Sequence, residues 1–151
     1  MAEQPQLVDI STLPYEQLVM LKNQFEQEVQ GLAQLSGTLK VAASRFQNSI
    51  KALGQLKNSS EGAEILVPLT DSLYAPGALV DPGHCLVDVG TGFFIEKKTS
   101  DTIDYCNRKC TTVVEKINEA DSELARKREG LQTIFQLIQA KQAQETRKPS
   151  A

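Results

Sequence analysis

Four side chains in this chain could together bind a metal ion. His84 and Cys85 are adjacent, Cys106 and Cys110 lie four residues apart, and these are the only histidine and the only cysteines in the sequence. Three thiolates and one imidazole are the donor set of a Cys3His zinc site. Their spacing, however, is not that of a zinc ribbon or finger, and Cys106 and Cys110 lie in a helical repeat that favours small apolar side chains. We therefore predict that this pair packs between helices, and we predict no metal site.

The glycines of the segment Gly90-Thr91-Gly92 could belong to a phosphate-binding loop. No third glycine follows at the dinucleotide-binding spacing, no Gly-Lys-Ser or Gly-Lys-Thr sequence closes a P-loop, and a β-prone run follows where a helix is needed. A tight turn explains these glycines better, because glycine takes positive φ without strain. Catalytic groups are equally sparse, since His84 has no nucleophile near it in sequence and no paired carboxylates stand out. The sequence predicts a protein that binds no cofactor and is not an enzyme.

Two long stretches carry apolar residues at alternating steps of three and four, which is the repeat of supercoiled helices. The first of these seams comprises Leu18, Leu21, Phe25, Glu28, Leu32, Leu35, Leu39, Ala42, Phe46, Ser49, Leu53 and Leu56. The second comprises Ile103, Cys106, Cys110, Val113, Ile117, Ala120, Leu124, Lys127, Leu131, Ile134, Ile138 and Lys141. Each seam finds its nearest partner in the other. We predict an antiparallel coiled coil that pairs Leu56 with Ile103 at its base and Leu18 with Lys141 at its tip.

The segment between the seams reads as two β-hairpins. Residues 64–69 and 73–75 are short β-prone runs, and Pro76-Gly77 signals a tight turn after them. Residues 85–89 and 93–97 flank Gly90-Thr91-Gly92 as a second hairpin. We predict an α+β, mainly α, single domain with a helix in residues 1–60 that starts near residue 12, a double hairpin in 61–98 and a helix in 99–148.

Composition agrees with this architecture and restricts the partners. The chain has 151 residues, no tryptophan and a formal net charge of −3. A large globular core is not expected, and no basic stretch is suited to phosphates or to an anionic membrane. No signal peptide and no apolar run of the length needed to span a bilayer is present. We expect a cytoplasmic protein, with the nucleus left open, that binds neither nucleic acid nor membrane.

The central block resembles the α-class subunits of prefoldin, whose β-class relatives have one hairpin. The residues that carry the resemblance are the segments 66–77 (LVPLTDSLYAPG) and 86–97 (LVDVGTGFFIEK), and similarity over 13–24 extends it to most of the chain. The resemblance implies a heterohexamer with one further α-class and four β-class subunits, joined through their hairpins. It also implies capture of unfolded actin and tubulin at the coiled-coil tips, without ATP, and their transfer to the cytosolic group II chaperonin.

Two sets of apolar residues are therefore candidates for binding. The candidate assembly interface consists of Ile65, Val67, Leu69, Leu73, Tyr74, Leu86, Val87, Val89, Phe93 and Ile95. The candidate client-binding tip consists of Leu7, Val8, Ile10, Leu13, Tyr15, Val19, Met20, Phe135 and Leu137, which lie off the seams without an expected intramolecular partner. The alternative is a structural coiled-coil adaptor with a dedicated folded partner, which would recognise the polar seam residues Glu28, Ser49, Lys127 and Lys141.

Overall fold

The computed structural model of the protein describes residues 10–145. A single 3-10 turn, two long helices and four strands follow one another along the chain: the turn Ile10–Thr12, α1 Tyr15–Lys57, β1 Glu64–Pro68, β2 Tyr74–Ala78, β3 His84–Asp88, β4 Phe94–Lys98 and α2 Thr99–Glu145. Two antiparallel strand pairs thus lie between two long helices in sequence, and the predicted α+β, mainly α, fold class is confirmed. Neither helix in this region has a stretch both long and apolar enough to cross a bilayer.

The chain divides into two compact units. The terminal unit combines the chain up to Thr38 with the chain from Lys116 onward, and the hairpin unit runs from Leu39 to Glu115. Each unit contains part of both helices, and the hairpin unit also contains all four strands. The two units supply different candidate surfaces, which are described separately below.

Within the terminal unit, the two helical segments run antiparallel. The side chain of Gln142 donates to the Tyr15 hydroxyl, and the Lys127 ammonium lies 2.6 Å from a carboxylate oxygen of Glu28, so positions rise on α1 as they fall on α2. Leu18 is fully buried and packs with Ile134 and Ile138, whereas Lys141 donates to the carbonyl oxygen of Leu13. The predicted pairing of Leu18 with Lys141 is therefore displaced by about one helical turn.

The seam of α2 is the one that the sequence predicts. Every predicted position from Ile103 to Lys141 is buried or half-buried. The buried members are Cys106, Ile117, Ala120, Leu124, Ile134 and Ile138. Its two lysines are half-buried rather than exposed, because their long apolar stems cover the neighbouring helix while their ammonium groups reach polar partners.

The seam of α1 differs from the predicted one at Leu35 and Ser49, which are exposed. Leu35 is 49% exposed while its neighbour Ser36 is only 3% exposed, and Ser49 is exposed while Ile50 is half-buried. Ala43 is likewise buried. In these two heptads the chain uses the residue four positions after Leu32 or Phe46 where three was expected, whereas every other predicted position of α1 is buried or half-buried. Ser36 fits this buried position because its hydroxyl donates to Asp121 on α2 at 2.5 Å.

Both hairpins form, with one difference from the predicted turns. β1 pairs only with β2, and β3 pairs only with β4, so each hairpin is a two-stranded sheet. Pro76 and Gly77 lie inside β2, opposite Leu66 and Ile65, and the turn predicted there is wrong. The chain instead reverses between Leu69 and Leu73, where the Leu69 amide donates to the Leu73 carbonyl oxygen at 2.8 Å. Proline is tolerated in β2 because each strand of a two-stranded sheet has a free edge.

The turn of the second hairpin is the predicted one. Gly90, Thr91 and Gly92 all have positive φ, at 102°, 55° and 78°. The Asp88 carboxylate accepts a hydrogen bond from the Gly90 amide at 2.8 Å, which is the local contact that favours such a turn. The two glycines adopt these values without strain, and Thr91 is the one residue with a side chain that must occupy the left-handed region.

One of the two helices begins where the sequence predicts, and the other begins three residues later. The Leu18 amide donates to the Pro14 carbonyl oxygen, so α1 begins at Tyr15, three residues after the predicted start. Pro14 thus lies immediately before the first turn, where its missing amide proton costs no hydrogen bond. α2 begins at Thr99 as predicted. Its amide and hydroxyl donate to the carbonyl oxygens of Gly83 and Pro82, which attaches the start of α2 to the loop before β3.

Two leucine-to-alanine variants in the terminal unit test the observed seam. Leu124→Ala should lower the free energy of unfolding by about 2 to 4 kcal/mol, because it leaves a cavity between the helices. Leu35→Ala should change it by less than about 1 kcal/mol, since that side chain is half in water and alanine favours helix. Thermal unfolding followed by circular dichroism measures both. Equal losses in the two variants would place Leu35 in the seam and contradict the structure.

Candidate interaction surfaces

The predicted assembly residues lie on the two hairpins, and nearly all of them face solvent. Of the ten, only Val87 is buried, and the other nine are 38% to 72% exposed. Large apolar side chains are seldom left uncovered in such density on a small sheet, and exposed apolar patches of this kind mark sites of interaction. The hairpins therefore present the main apolar surface of the hairpin unit.

The first hairpin has one wholly apolar face. Ile65 pairs with Gly77 and Val67 pairs with Ala75, and directly opposed residues project to the same side. A Cβ atom at Gly77 would make an ordinary van der Waals contact with a methyl group of Val67, at 3.5 Å, so this face could also hold a larger apolar residue there. The hydrogen bond between Leu69 and Leu73 continues the same face toward the turn. This face carries no polar side chain that would favour solvent.

The second hairpin covers part of one face with the helices of its own unit. Cys85 donates through its thiol to the Thr102 hydroxyl at 3.1 Å, and Val87 is buried beside it. Together with residues of both helices, this face encloses a cleft of about 540 Å³, lined by Phe46, Ser49, Ala52, Leu53, Leu56, Cys85, Leu86, Val87, Asp88, Thr102, Tyr105 and Cys106. Beyond Val87, the same face continues into Val89, Ile95 and Phe93, which are exposed. A partner could therefore extend over the uncovered half.

Three exposed apolar residues on the hairpin segment were not predicted. Leu66 and Phe94 project from the opposite faces of their hairpins, and Val80 lies in the connection between them. Strand alternation could have identified Leu66 and Phe94. Each is a large apolar residue next to an assembly residue in a strand, and successive side chains of a strand project to opposite faces. Both hairpins thus expose apolar side chains on two faces. A sheet that contacts a single partner would need an apolar surface on only one face.

The four soft donors of the sequence do not converge. His84 contacts the Asp81 carboxylate at 2.9 Å, and Cys110 contacts the carbonyl oxygen of Ala43. Burial raises the pKa of the Cys106 thiol, with a smaller contribution from Cys85, so Cys106 stays neutral within the helix pair. Across residues 10–145, no group of three or more His, Cys, Asp or Glu side chains is arranged to hold a metal ion.

The pair of Asp81 and His84 supports the loop that leads into the second hairpin. The His84 ring and the Gly83 amide both contact the Asp81 carboxylate, and these contacts hold the pKa of that carboxyl below its ordinary value. The Pro82 and Gly83 carbonyl oxygens of the same loop accept from Thr99. His84 is therefore part of a turn that positions β3 against the start of α2.

In the terminal unit, the predicted tip residues fall into three groups. Leu7 and Val8 lie outside the described residues. Four others, Leu13, Tyr15, Val19 and Leu137, are half-buried against the cluster of Leu18, Ile134 and Ile138. The expectation that these four lack an intramolecular partner is wrong, because the turns at the start of α1 and near the end of α2 wrap them around that cluster. The remaining three, Ile10, Met20 and Phe135, are exposed, and we call them the helix-end residues.

Met20 is the most exposed of the helix-end residues, at 71%. It borders an open groove of about 610 Å³ whose lining is otherwise supplied by Leu13, Gln17, Leu21, Asn23, Gln24 and Gln27. An unbranched thioether beside side-chain amides forms an adaptable surface, since methionine fills irregular shapes and amides can donate or accept. Such a surface suits ligands of variable sequence.

The polar seam residues are paired inside the chain. Lys127 contacts Glu28, and its ammonium also lies 4.7 Å from the centre of the Phe25 ring. Lys141 donates to the Leu13 carbonyl oxygen. Ser49, in the hairpin unit, donates to the carbonyl oxygen of Arg45 one turn earlier. The four polar residues that an adaptor partner was expected to recognise, Glu28, Ser49, Lys127 and Lys141, thus already have partners within the chain.

Phe25 depends on a glycine in the facing helix. A Cβ atom at Gly130 would lie 2.9 Å from the Phe25 ring, closer than side-chain carbons approach one another. Gly130 therefore lets the ring lie against the backbone of α2, between the Lys127 ammonium and the helix. This contact fixes how closely the two helices approach in the terminal unit.

The chain is similar to known proteins over most of its length. The family model described as prefoldin subunit matches residues 25–144. The chain is 38% identical to prefoldin subunit 5 of Homo sapiens over 136 residues, which covers 90% of this chain and 88% of that protein. It is 36% identical to the probable prefoldin subunit 5 of Dictyostelium discoideum, covering 91% and 86%, and 35% identical to prefoldin subunit 5 of Arabidopsis thaliana, covering 91% of each.

A solved structure shares the fold. The filamentous PFD of Methanocaldococcus jannaschii aligns with a TM-score of 0.66, at 17% sequence identity, over 76% of this chain and 94% of that chain. At this identity the similarity concerns the arrangement of helices and hairpins. It supports the predicted fold class independently of the sequence relatives.

The ion pair of Glu28 and Lys127 predicts a dependence of stability on pH. Hydrogen bonds from Lys127 and then Gln24 hold the pKa of the Glu28 carboxyl below its ordinary value of 4.5. Because the pKa is lower in the folded chain, this contribution to stability is present above about pH 4.5 and is lost as the pH falls through the folded-state pKa. NMR titration of the Glu28 carboxyl should show a low midpoint in the wild type.

Lys127→Met provides the control for that titration. It retains the apolar stem but removes the ammonium, so the midpoint of Glu28 should rise and the corresponding acid-dependent loss of stability should become smaller, with the hydrogen bond from Gln24 retained. A wild-type midpoint at or above 4.5, or one that Lys127→Met leaves unchanged, would show that the ion pair does not form in solution.

Proposed function

The chain belongs to the prefoldin subunit family, and on that basis we propose that it is one subunit of a co-chaperone that captures unfolded proteins without ATP. The observation that carries this function is the exposure of nine of the ten candidate assembly residues on the hairpins. A polypeptide that leaves so much apolar surface uncovered needs partners to cover it. Within this function, the hairpins and the helix-end residues would bind different partners.

We assign assembly to the hairpins. A two-stranded hairpin is marginally stable alone in water, and each hairpin here has two free edges and at least one uncovered apolar face. Pairing with the hairpins of other subunits would satisfy edges and faces together. The complex we propose is a heterohexamer in which this chain is one of two α-class subunits beside four β-class subunits, and mixing with them should raise its apparent stability by mass action.

We assign client binding to the helix-end residues, together with Leu7 and Val8 of the preceding segment. Ile10, Met20 and Phe135 remain exposed after the seam and its flanking residues have packed. Unfolded chains expose apolar side chains in no fixed order, and an adaptable surface that includes methionine can accommodate them. The proposed clients are unfolded actin and tubulin, which the complex would deliver to the cytosolic group II chaperonin; the proposed location is therefore the cytoplasm.

The adaptor alternative is less favoured by the polar contacts. A dedicated coiled-coil partner is selected by charged and polar residues at or beside the seam. The four residues that would serve this purpose, Glu28, Ser49, Lys127 and Lys141, all have partners within the chain. The predicted tip residues that stay exposed, Ile10, Met20 and Phe135, are apolar, which suits a client better than a charge-selected partner.

Charges placed on the second hairpin should block assembly. Val89→Glu with Phe93→Glu puts two carboxylates where we place the subunit interface, and burying them unpaired would cost several kcal/mol, on the order of 3 or more. Both residues are exposed in the chain itself, so its helix content should persist. Mass measurement of complexes reconstituted with the other subunits reports the yield.

The matched control adds the same two charges elsewhere in the hairpin unit. Val41→Glu with Val114→Glu changes two exposed valines, one on each helix, and should leave the yield of complex unchanged. A normal yield from the Val89 and Phe93 variant would remove this hairpin from the interface and would leave the assembly proposal without its main support.

Polar substitutions at the helix-end residues should weaken client capture without affecting assembly. Met20→Ser with Phe135→Ser removes two apolar contacts, each worth at most about 1.5 to 3 kcal/mol when fully buried. Since several arms hold one client, avidity will reduce the observed loss. The assay is suppression of aggregation of denatured actin by the reconstituted complex, with and without ATP, which should make no difference.

Leu35→Ser is the control for client capture, because Leu35 is as exposed as Phe135 but was not assigned to the client surface. It should leave capture unchanged. Leu137 is kept in both variants, because it packs against the buried cluster. If the Met20 and Phe135 variant suppresses aggregation and crosslinks to actin as well as the wild type does, the adaptor alternative becomes the better account.

A further inference from the structure

Three cations surround one aromatic ring in the hairpin unit. The ammonium groups of Lys97 and Lys109 lie 5.9 Å and 5.6 Å from the centre of the Tyr105 ring, and the Arg108 guanidinium lies 5.9 Å from it. We call these four residues the Tyr105 cluster. Lys97 comes from β4, and the other three come from the second and third turns of α2, so the fold brings them together from two elements. One ring attracts a cation weakly and cannot neutralise three.

The cluster holds unneutralised positive charge. Within the described part of the chain, no ion pair involves Lys97, Arg108 or Lys109, whereas Lys22, Arg126 and Lys127 each have a carboxylate within 3.1 Å. Three like charges around one ring repel one another unless an anion lies nearby. The cluster is therefore electrostatically prepared for carboxylates that this part of the chain does not supply.

The cluster adjoins the surface assigned to assembly. Lys97 is two residues from Ile95 and four from Phe93, so all three side chains project from the same face of the hairpin. Tyr105 is half-buried and lines the same cleft as Val87. A partner lying on the exposed apolar face of the second hairpin would therefore bring its own edge up to the cations.

We propose that the Tyr105 cluster is the charged rim of the second hairpin's interface and binds the carboxylates of an acidic segment on the neighbouring prefoldin subunit. Interfaces commonly surround an apolar centre with a polar rim, and tyrosine and arginine are enriched among their strongest contacts. The inference rests on the proposed function, since it requires that the hairpins meet other subunits. A nucleic acid is disfavoured as the occupant, because the chain carries a net charge of −3 and the cluster is too small to track a phosphate backbone.

A rim of this kind should act mainly on the rate of association. Charges at the edge of an interface steer the encounter of two proteins, and salt screens that attraction. The experiment mixes the full-length chain with the other five subunits and follows complex formation by stopped-flow at low and at high salt. Arg108→Glu with Lys109→Glu should slow association by about tenfold or more at low salt, and the difference should shrink at high salt.

The control reverses the same number of charges outside the cluster. Lys116→Glu with Arg128→Glu changes two exposed cations on the same helix and should reduce the rate far less. Circular dichroism of each variant shows whether the helices are retained. If the Arg108 and Lys109 variant associates no more slowly than this control, or if its deficit does not depend on salt, the inference is overturned.

Including the Val89→Glu and Phe93→Glu variant distinguishes failure of the charged rim from failure of the hairpin interface. If that variant fails to assemble while the Arg108 and Lys109 variant assembles at the control rate, the hairpin interface stands and the charged rim does not exist. If neither variant affects assembly, the proposed function fails as well. Normal association combined with weaker capture of an acidic client would also overturn the inference, because it would make the client the occupant of the cluster.

Discussion

The structure depends on the fact that a two-stranded sheet cannot cover itself. Each hairpin leaves two edges without hydrogen-bond partners, and only the second hairpin has part of one face covered by helices of its unit. Val87 is the single assembly residue that this cover buries. The rest of the apolar surface must be covered by other chains or remain in water, which is costly. The hairpin unit is therefore incomplete in isolation for a physical reason, and its incompleteness is what makes it suitable for assembly.

The helices differ from the hairpins, because the polar and apolar side chains at their seam find most of their partners within the chain. Polar groups at the seam are matched across it, as with Ser36 and Asp121 or Glu28 and Lys127. A polar pair in an apolar seam contributes little to stability, but it opposes a shift of one helix along the other, since a shift would leave both groups unpaired. The alignment of α1 with α2 in the terminal unit is thus set by a few polar contacts, while apolar packing supplies the attraction.

Much of the fold was predictable because its signals are strong and local. The α2 seam was predicted at every position, since polar residues flank it consistently, and glycines with positive φ identified the turn at residues 90–92. The α1 seam prediction is wrong at Leu35 because leucine is more apolar than Ser36, and only the tertiary contact with Asp121 makes the serine the better buried residue. Pro76-Gly77 predicts a turn by local propensity, which cannot reveal that an edge strand tolerates both residues.

The sequence predicted which apolar residues belong to the candidate surfaces, but not which of them pack against the rest of the chain. Hairpin exposure follows from strand alternation together with too few strands, both of which are visible in the sequence. Which tip residues stay exposed is decided by how the start of α1 folds over Ile134 and Ile138, and the sequence carries no direct sign of that. The Tyr105 cluster was not predicted at all, because Lys97 reaches the ring from a different element, β4, and heptad and strand patterns do not show how β4 joins α2.

The contact between Phe25 and Gly130 has a consequence for how sequences of this fold can diverge. A methyl group at position 130 would favour helix, yet it would meet the aromatic ring 2.9 Å away, so either the packed ring must shift or position 25 must become smaller. A smaller residue at 25 with glycine retained would instead leave a void and remove the ring that the Lys127 ammonium faces. The two positions, distant in the chain, therefore behave as a single unit of variation, and related sequences should exchange a large residue and glycine for two residues of intermediate size, changed together.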